Sequence, residues 1–116
     1  DDYLAIFEGE EEIELLTPNL KAISRLEARG LIASAPGTQS DFVSRCFYPS
    51  LGVEEDPVTG SAHTLLTPYW AAALGKKKML ARQISSRGGQ LFCELHGERV
   101  MIGGEAAIYL AGKIYV

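Results

Sequence analysis

The chain has 116 residues and a mass of 12.6 kDa, with 11 Lys and Arg against 15 Asp and Glu, so its formal charge is −4. This length fits a single domain spanning residues 1–116. Hydrophobic residues at 47% and charged residues at 22% lie within the ordinary globular range, so neither a disordered nor a fibrous class is needed. The mild acidity argues against nucleic acid as a partner.

No apolar run reaches the roughly 18 residues that a membrane-spanning helix needs, and no leader pattern is present. We therefore expect a soluble, cytoplasmic protein without a membrane partner. Cys46 and Cys93 show no metal-ligand or redox spacing, which predicts packed, reduced thiols and no metal. The chain begins at Asp1 rather than Met, which leads us to expect a fragment.

The N-terminal region predicts a strand from Tyr3 to Phe7, where β-formers make a short apolar run. The acidic stretch from Glu8 to Glu14 predicts a turn and a second short strand ending near Leu16. We interpret its acids as a solvated hairpin face rather than a metal cluster, because no glycine-broken ligand loop accompanies them.

Thr17 followed by Pro18 is typical of a helix start. Apolar residues then recur at helical spacing up to a stop at Gly30, which predicts one amphipathic surface helix. Two further strands are predicted, from Leu31 to Ala35 and from Phe42 to Tyr48.

A loop is predicted from Ser50 to Asp56, and a helix from Gly60 to Leu74. Apolar residues surround this helix almost completely, which predicts burial on most sides. Pro68 predicts a kink, and Gly75 ends the helix.

Four closely spaced strands are predicted after that helix, separated by glycine-containing turns. They are Leu80–Ser85, Gln90–Leu95, Arg99–Ile102 and Ala106–Val116. The fold class that follows is α+β, with mainly antiparallel strands wrapped around one buried central helix, plus one short surface helix.

The segment from Glu54 to His63 collects acid, hydroxyl, glycine and imidazole groups just ahead of the buried helix. Thr59, Gly60 and Ser61 open that helix, so its unpaired N–H groups suit a carboxylate or phosphate. Asp56 would stand beside this anion site as an acceptor. The alternative is that Thr59 or Ser61 merely caps the helix.

Three other residues are possible members of a cleft. His63 is either a core histidine or a site-lining proton carrier. Arg87 is either an exposed turn cation or a group that faces a substrate or a partner domain, and Gln83 lies in the same cluster. A serine hydrolase is disfavoured, because Ser61 and His63 point to different helix faces and no G-x-S-x-G elbow is present.

These residues carry a family resemblance. The string EDPVTGSAH, from Glu55 to His63, resembles the signature of phenazine-biosynthesis PhzF-like isomerases. The later Gln83 and Arg87-Gly88-Gly89 fit the same pattern, and the match covers essentially the whole chain. The resemblance implies half of a diaminopimelate-epimerase-like fold, namely the C-terminal half only.

The resemblance also implies cofactor-free proton transfer at a carbon next to a carboxylate, in a cleft between two halves. Asp56 would contact a polar substituent of the substrate, and Gly60 with Ser61 would hold its carboxylate. The family's general acid/base glutamate belongs to the other half, and so does its active histidine, so His63 does not inherit that role. No cysteine pair stands near Pro57 or Val58, so two-thiol racemisation is not supported.

Two functional hypotheses follow. In the first, the chain supplies the carboxylate-binding half of an isomerase site and is inactive until an N-terminal half or partner chain supplies the glutamate. In the second, it is a non-catalytic module that pairs with another protein or with itself through the cleft face. A homodimer is expected on this ground.

Overall fold

The computed structural model describes all 116 residues and contains three α-helices and seven β-strands. In chain order the elements are β1 (Asp2–Ile6), α1 (Glu10–Glu14), α2 (Leu20–Ile23), β2 (Gly30–Pro36), β3 (Phe42–Tyr48), a 3₁₀ turn (Pro49–Leu51), β4 (Val53–Asp56), α3 (Gly60–Leu74), β5 (Lys78–Gln83), β6 (Gly89–His96) and β7 (Arg99–Gly103).

All the strands belong to one sheet, in the order β1-β2-β3-β5-β6-β7, with β4 added to β3. The pairs β1/β2 and β3/β5 are parallel, whereas β2/β3, β3/β4, β5/β6 and β6/β7 are antiparallel. The prediction of an α+β fold with mainly antiparallel strands is confirmed. None of the helices is both long and apolar enough to span a bilayer.

The sheet is covered on both faces, so the central strands β2 and β3 are buried almost throughout. Side chains such as Ile32 and Phe42 pack against α3 on one face. Their neighbours Ala33 and Val43 belong to a second apolar cluster on the other face, together with Ile13 of α1. This follows from the strand period of two, which sends successive side chains to opposite faces.

Helix α3 has the predicted bounds, and Gly75 ends it in the left-handed conformation with φ of +65°. Its buried side chains form one stripe that includes Ala62, Leu66 and Trp70. The opposite side is exposed, so the prediction of a central helix buried on most sides is wrong for this chain. The apolar residues there have no strand against which to pack.

The acidic run forms helix α1, so the predicted short strand is wrong. The Glu12 carboxylate accepts the backbone N–H groups of Glu8 and Gly9 at 3.0 and 3.1 Å and thereby fixes the helix start. Three glutamates in the first turn favour the positive end of the helix. Ile13 is then buried beneath the sheet.

The second predicted helix is much shorter than expected and starts later. Asn19, rather than Thr17, caps α2, because its Oδ1 accepts the N–H of Ala22 at 3.0 Å. The helix ends at Ile23, and Leu26 remains 38% exposed. A short helix gains its stability from packing, and no buried stripe continues to Gly30.

Two other predictions require correction. The segment predicted as a loop before Asp56 contains the 3₁₀ turn and β4, which is held by its pairing with β3. The predicted strand Ala106–Val116 is absent, and these residues are exposed without regular structure. Strand geometry needs a neighbouring strand's N–H and C=O groups, and this segment lies beside none.

Candidate functional site

Strand β4 ends at Asp56 and α3 begins at Gly60, so the loop between them brings the predicted site residues together. The position of Asp56 is set by β4, in which it pairs with Cys46 of β3. Asp56, Thr59 and Ser61 line one cavity of about 240 Å³. The carboxylate and the helix start therefore border the same space.

Thr59 occupies the N-cap position of α3, yet its side chain does not cap the helix. Its hydroxyl donates to Asp56 Oδ2 at 2.6 Å instead. The N–H groups of a helix's first turn have no partner one turn earlier, and only a cap or a ligand can satisfy them. The interpretation in which Thr59 merely caps α3 is therefore wrong, and the helix start keeps free donors.

Gly60 has open space where a side chain would stand. A Cβ built on it would meet no atom within 4 Å, and its φ is not positive. Neither packing nor backbone conformation thus demands glycine here. Its missing side chain leaves the first N–H groups of α3 accessible to a ligand.

Gln83, which the sequence suggested as a cleft residue, is 1% exposed and forms hydrogen bonds to the loop between β4 and α3. Its Oε1 accepts the Thr59 N–H at 2.8 Å, and its Nε2 donates to Asp56 O at 2.8 Å and to Thr59 Oγ1 at 3.0 Å. The Thr59 oxygen accepts from Gln83, so its single proton goes to the Asp56 carboxylate. Gln83 thus positions Asp56 through Thr59.

His63 lies in the core rather than on the cavity wall, with 0% exposure. Its Nδ1 is 2.7 Å from Thr59 O, which can only accept, so Nδ1 carries the proton. Nε2 is buried without a partner, and the ring lies 6.0 Å from that of Phe42. Burial lowers the pKa of His63, which keeps the imidazole neutral.

Arg87 lines two other cavities, of about 590 and 490 Å³, together with Gly88 and Gly89. Gly88 has a φ of +73°, and a side chain on Gly89 would overlap Val58 Cγ2. Both glycines are therefore required by the backbone and the packing. The chain does not bring Arg87 into the Asp56 cavity.

Arg29 was not predicted as a site residue, yet it lines the Asp56 cavity and donates from Nη2 to Ser61 Oγ at 3.2 Å. The sequence placed it at the end of a surface helix. The next residue, Gly30, leaves room for the ring of Tyr48, since a Cβ there would overlap that ring. No local signal connects Arg29 to Ser61, because strand pairing alone brings them together.

Three apolar side chains complete the cavity beside Arg29, Asp56, Thr59 and Ser61. They are Tyr48, Leu51 and Val53. Cys46 is buried as predicted, and burial raises the pKa of its thiol to about 12, so it stays protonated. No group of three or more His, Cys, Asp and Glu side chains is arranged to hold a metal ion.

Comparison with known proteins gives one consistent family. Residues 1–112 match the profile of phenazine biosynthesis-like proteins, PhzC-PhzF. An uncharacterized isomerase of Pseudomonas aeruginosa is 51% identical over 98% of this chain and 44% of its own length.

Solved structures agree with the sequence relatives. A PhzF-family protein of Enterococcus faecalis is 42% identical with a TM-score of 0.89, over 97% of this chain and 44% of that one. A PhzC/PhzF protein of Clostridium difficile is 44% identical with a TM-score of 0.89, over 99% and 45%. The chain therefore spans less than half the length of the relatives that it matches.

Proposed function

Since this chain belongs to the phenazine biosynthesis-like (PhzC-PhzF) family, we propose that it forms the carboxylate-binding half of the active site of a cofactor-independent isomerase. The substrate is a small carboxylate, and the reaction is a proton transfer at the carbon next to that carboxylate. The general acid/base glutamate comes from an N-terminal half or a partner chain. The 116 residues alone are then inactive.

One observation carries the proposal: the Asp56 carboxylate and the uncapped start of α3 border the same cavity. The free N–H groups and the positive end of the helix dipole favour a carboxylate. Thr59 occupies only Oδ2 of Asp56, so Oδ1 is available to accept an amine or hydroxyl of the substrate. Such an arrangement selects a substrate whose reacting carbon lies between a carboxylate and a polar substituent.

The same donors support the chemistry. When a base removes the proton next to a carboxylate, negative charge moves onto the carboxylate oxygens. Donors already directed at those oxygens stabilise that charge without reorganisation. No free base borders the cavity besides Asp56, because His63 is buried and donates its proton to Thr59 O. Because the proposal assigns Asp56 to the polar substituent of the substrate, the base that removes the proton comes from outside the chain.

The test compares this chain with a fusion that adds the N-terminal half of the Pseudomonas aeruginosa relative. Both are incubated in D₂O with a panel of small carboxylates, and NMR follows deuterium incorporation next to the carboxylate. We expect exchange with the fusion and none with the chain alone. Exchange catalysed by the isolated chain would contradict the proposal.

A variant pair locates the activity within the fusion. Asp56→Asn keeps the shape of the side chain but removes its charge, and we expect deuterium incorporation to slow about a hundredfold through misplaced substrate. Glu54→Gln is the matched control, since Glu54 is an exposed acid of the same strand without a side-chain partner. Equal rates of deuterium incorporation for the two variants would show that Asp56 is not part of the site.

A second candidate function is a non-catalytic module that pairs with another protein or with itself. The observation that favours it is the exposed side of α3, where Leu65 and Tyr69 are each 40% exposed and Leu74 is 37% exposed. Light scattering with Tyr69→Lys as the variant tests it. A dimer that Tyr69→Lys dissociates supports pairing of the chain with itself, whereas a monomer at every concentration contradicts that form of the function.

A further inference from the structure

Arg29 connects the N-terminal strand to the start of α3. Its Nε and Nη2 donate to the two carboxylate oxygens of Asp2 at 3.0 and 2.5 Å, and Nη2 also donates to Ser61 Oγ. Its Cζ lies 5.3 Å from the centre of the Tyr48 ring. The paired bonds and the ring hold the guanidinium in one orientation. The side chain is still 41% exposed, and Nη1 takes part in none of these bonds.

The direction of the bond to Ser61 matters for ligand binding. A guanidinium only donates, so the Ser61 oxygen accepts and its own hydrogen is free for another acceptor. The Thr59 hydroxyl is already bound to Asp56. Of the two hydroxyls that flank Gly60, only that of Ser61 can therefore donate to a ligand.

Tyr48 gives an independent indication that the cavity is built for a polar ligand. It lines the same cavity at 5% exposure, and its hydroxyl has no hydrogen-bond partner. A buried polar group without a partner is costly in a native fold. Burial raises the pKa of Tyr48, so the phenol keeps its proton and is a donor.

The cavity thus collects donors of several kinds. These are the first N–H groups of α3, the Ser61 hydroxyl and Nη1 of Arg29, and Tyr48, whose buried hydroxyl is unpartnered, lines the same cavity. A helix end alone contributes only about half a unit charge, whereas a guanidinium contributes a whole one. The partly exposed guanidinium of Arg29 therefore distinguishes an anion from a neutral group of the same shape.

We propose that Arg29 is a substrate-binding residue: clamped by Asp2, it binds the substrate carboxylate together with Ser61 and makes the site selective for anions over neutral isosteres. This inference rests on the proposed function and names the charged residue that its carboxylate site uses. Asp2 has two effects. It fixes the orientation of the Arg29 guanidinium, and its carboxylate offsets part of the positive charge of Arg29.

The test is an NMR titration of the isotope-labelled chain with benzoate, and with benzamide as the neutral control of matched shape. The amide signals of Gly60 and Ser61 report binding. We expect saturable shifts with benzoate alone. Arg29→Gln should weaken benzoate binding about tenfold, as expected for a lost charge-assisted hydrogen bond. Arg25→Gln, the control at an exposed arginine without a side-chain partner, should not change it.

Asp2→Asn separates binding from a purely structural role, because the two predict opposite signs. The asparagine oxygen can still accept from Arg29, but the compensating charge is gone, so we expect tighter benzoate binding. If Arg29 merely supported the fold, Asp2→Asn would weaken binding as Arg29→Gln does. Should Arg29→Gln fail to fold, the sign of the Asp2→Asn change decides.

The possible failures can be told apart. Unchanged benzoate affinity in Arg29→Gln overturns the role of Arg29 and leaves the carboxylate site at Gly60 and Ser61 intact. Weaker binding in Asp2→Asn also overturns it. If the unmodified chain shows no saturable shift at Gly60 and Ser61, the carboxylate site of the proposed function is itself wrong.

Discussion

Glycine stands at the start of α3 and at the entry into β6, but for opposite reasons. At the first, a side chain on Gly60 would enter open space. At the second, Gly88 has a positive φ and a side chain on Gly89 would overlap Val58. Glycine at a helix start lacks the propensity of alanine, so Gly60 costs stability that the fold does not require. At Gly60 the missing side chain supports the proposed ligand site, whereas Gly88 and Gly89 serve the architecture.

The largest effect on stability is expected from Gly89→Ala. Its new methyl group must displace Val58, and overpacking of this kind costs about 2 kcal/mol of unfolding free energy, measured by urea denaturation. Val58→Ala removes the obstructing methyl groups, so the double variant should lose less stability than the two single variants together. Simple additivity would contradict the packing explanation.

The buried imidazole of His63, which is hydrogen-bonded to Thr59, should make the stability of the protein depend on pH. Because burial lowers the pKa of His63, the unfolded state binds its proton at a higher pH than the folded state does. Stability is therefore complete above the ordinary value of 6.5 and falls as the pH drops below it. The slope contributed by one such group is at most about 1.4 kcal/mol per pH unit.

Urea denaturation between neutral and mildly acidic pH measures this slope. His63→Asn should flatten it, because this variant lacks the buried imidazole. The same slope in His63→Asn and in the unmodified chain would show that the buried imidazole does not titrate as expected.

The smallest effect on stability is expected from Gly60→Ala, although the chemical change is the same as in Gly89→Ala. The unfolding free energy should stay constant or rise by up to about 1 kcal/mol, since alanine is the better helix former. Benzoate shifts at the start of α3 should nevertheless disappear, because the methyl group covers the first N–H groups. A stability loss comparable to that of Gly89→Ala would show that the fold needs glycine at position 60 as well.

Much of the fold could be predicted because its signals are local. The apolar runs of β1, β2 and β3 and the stop at Gly75 depend on neighbouring residues alone. The acidic run was misinterpreted, although Gly9 and Glu12 carry a capping signal. Ile13 follows three consecutive glutamates and is the only apolar residue of the run, so the sequence shows no helical repeat of apolar positions.

The site could be predicted only in part, for the same reason. Asp56, Thr59, Gly60 and Ser61 stand close together in the chain, just before and at the start of a helix that the sequence predicts. The functions of Gln83 and His63 could not be assigned, because burial decides them. Sequence alone left each of these two residues with a possible place in the cleft.

By itself, the sequence determined the α+β class and the bounds of α3, and it predicted an anion site at the first turn of that helix, since these inferences depend on short-range patterns in the chain. Only the tertiary structure decided that α3 is buried on one side and that Arg29 reaches Ser61, which lies 32 positions further along the chain. Such contacts depend on which strands pair and in which register, and no local pattern encodes that choice.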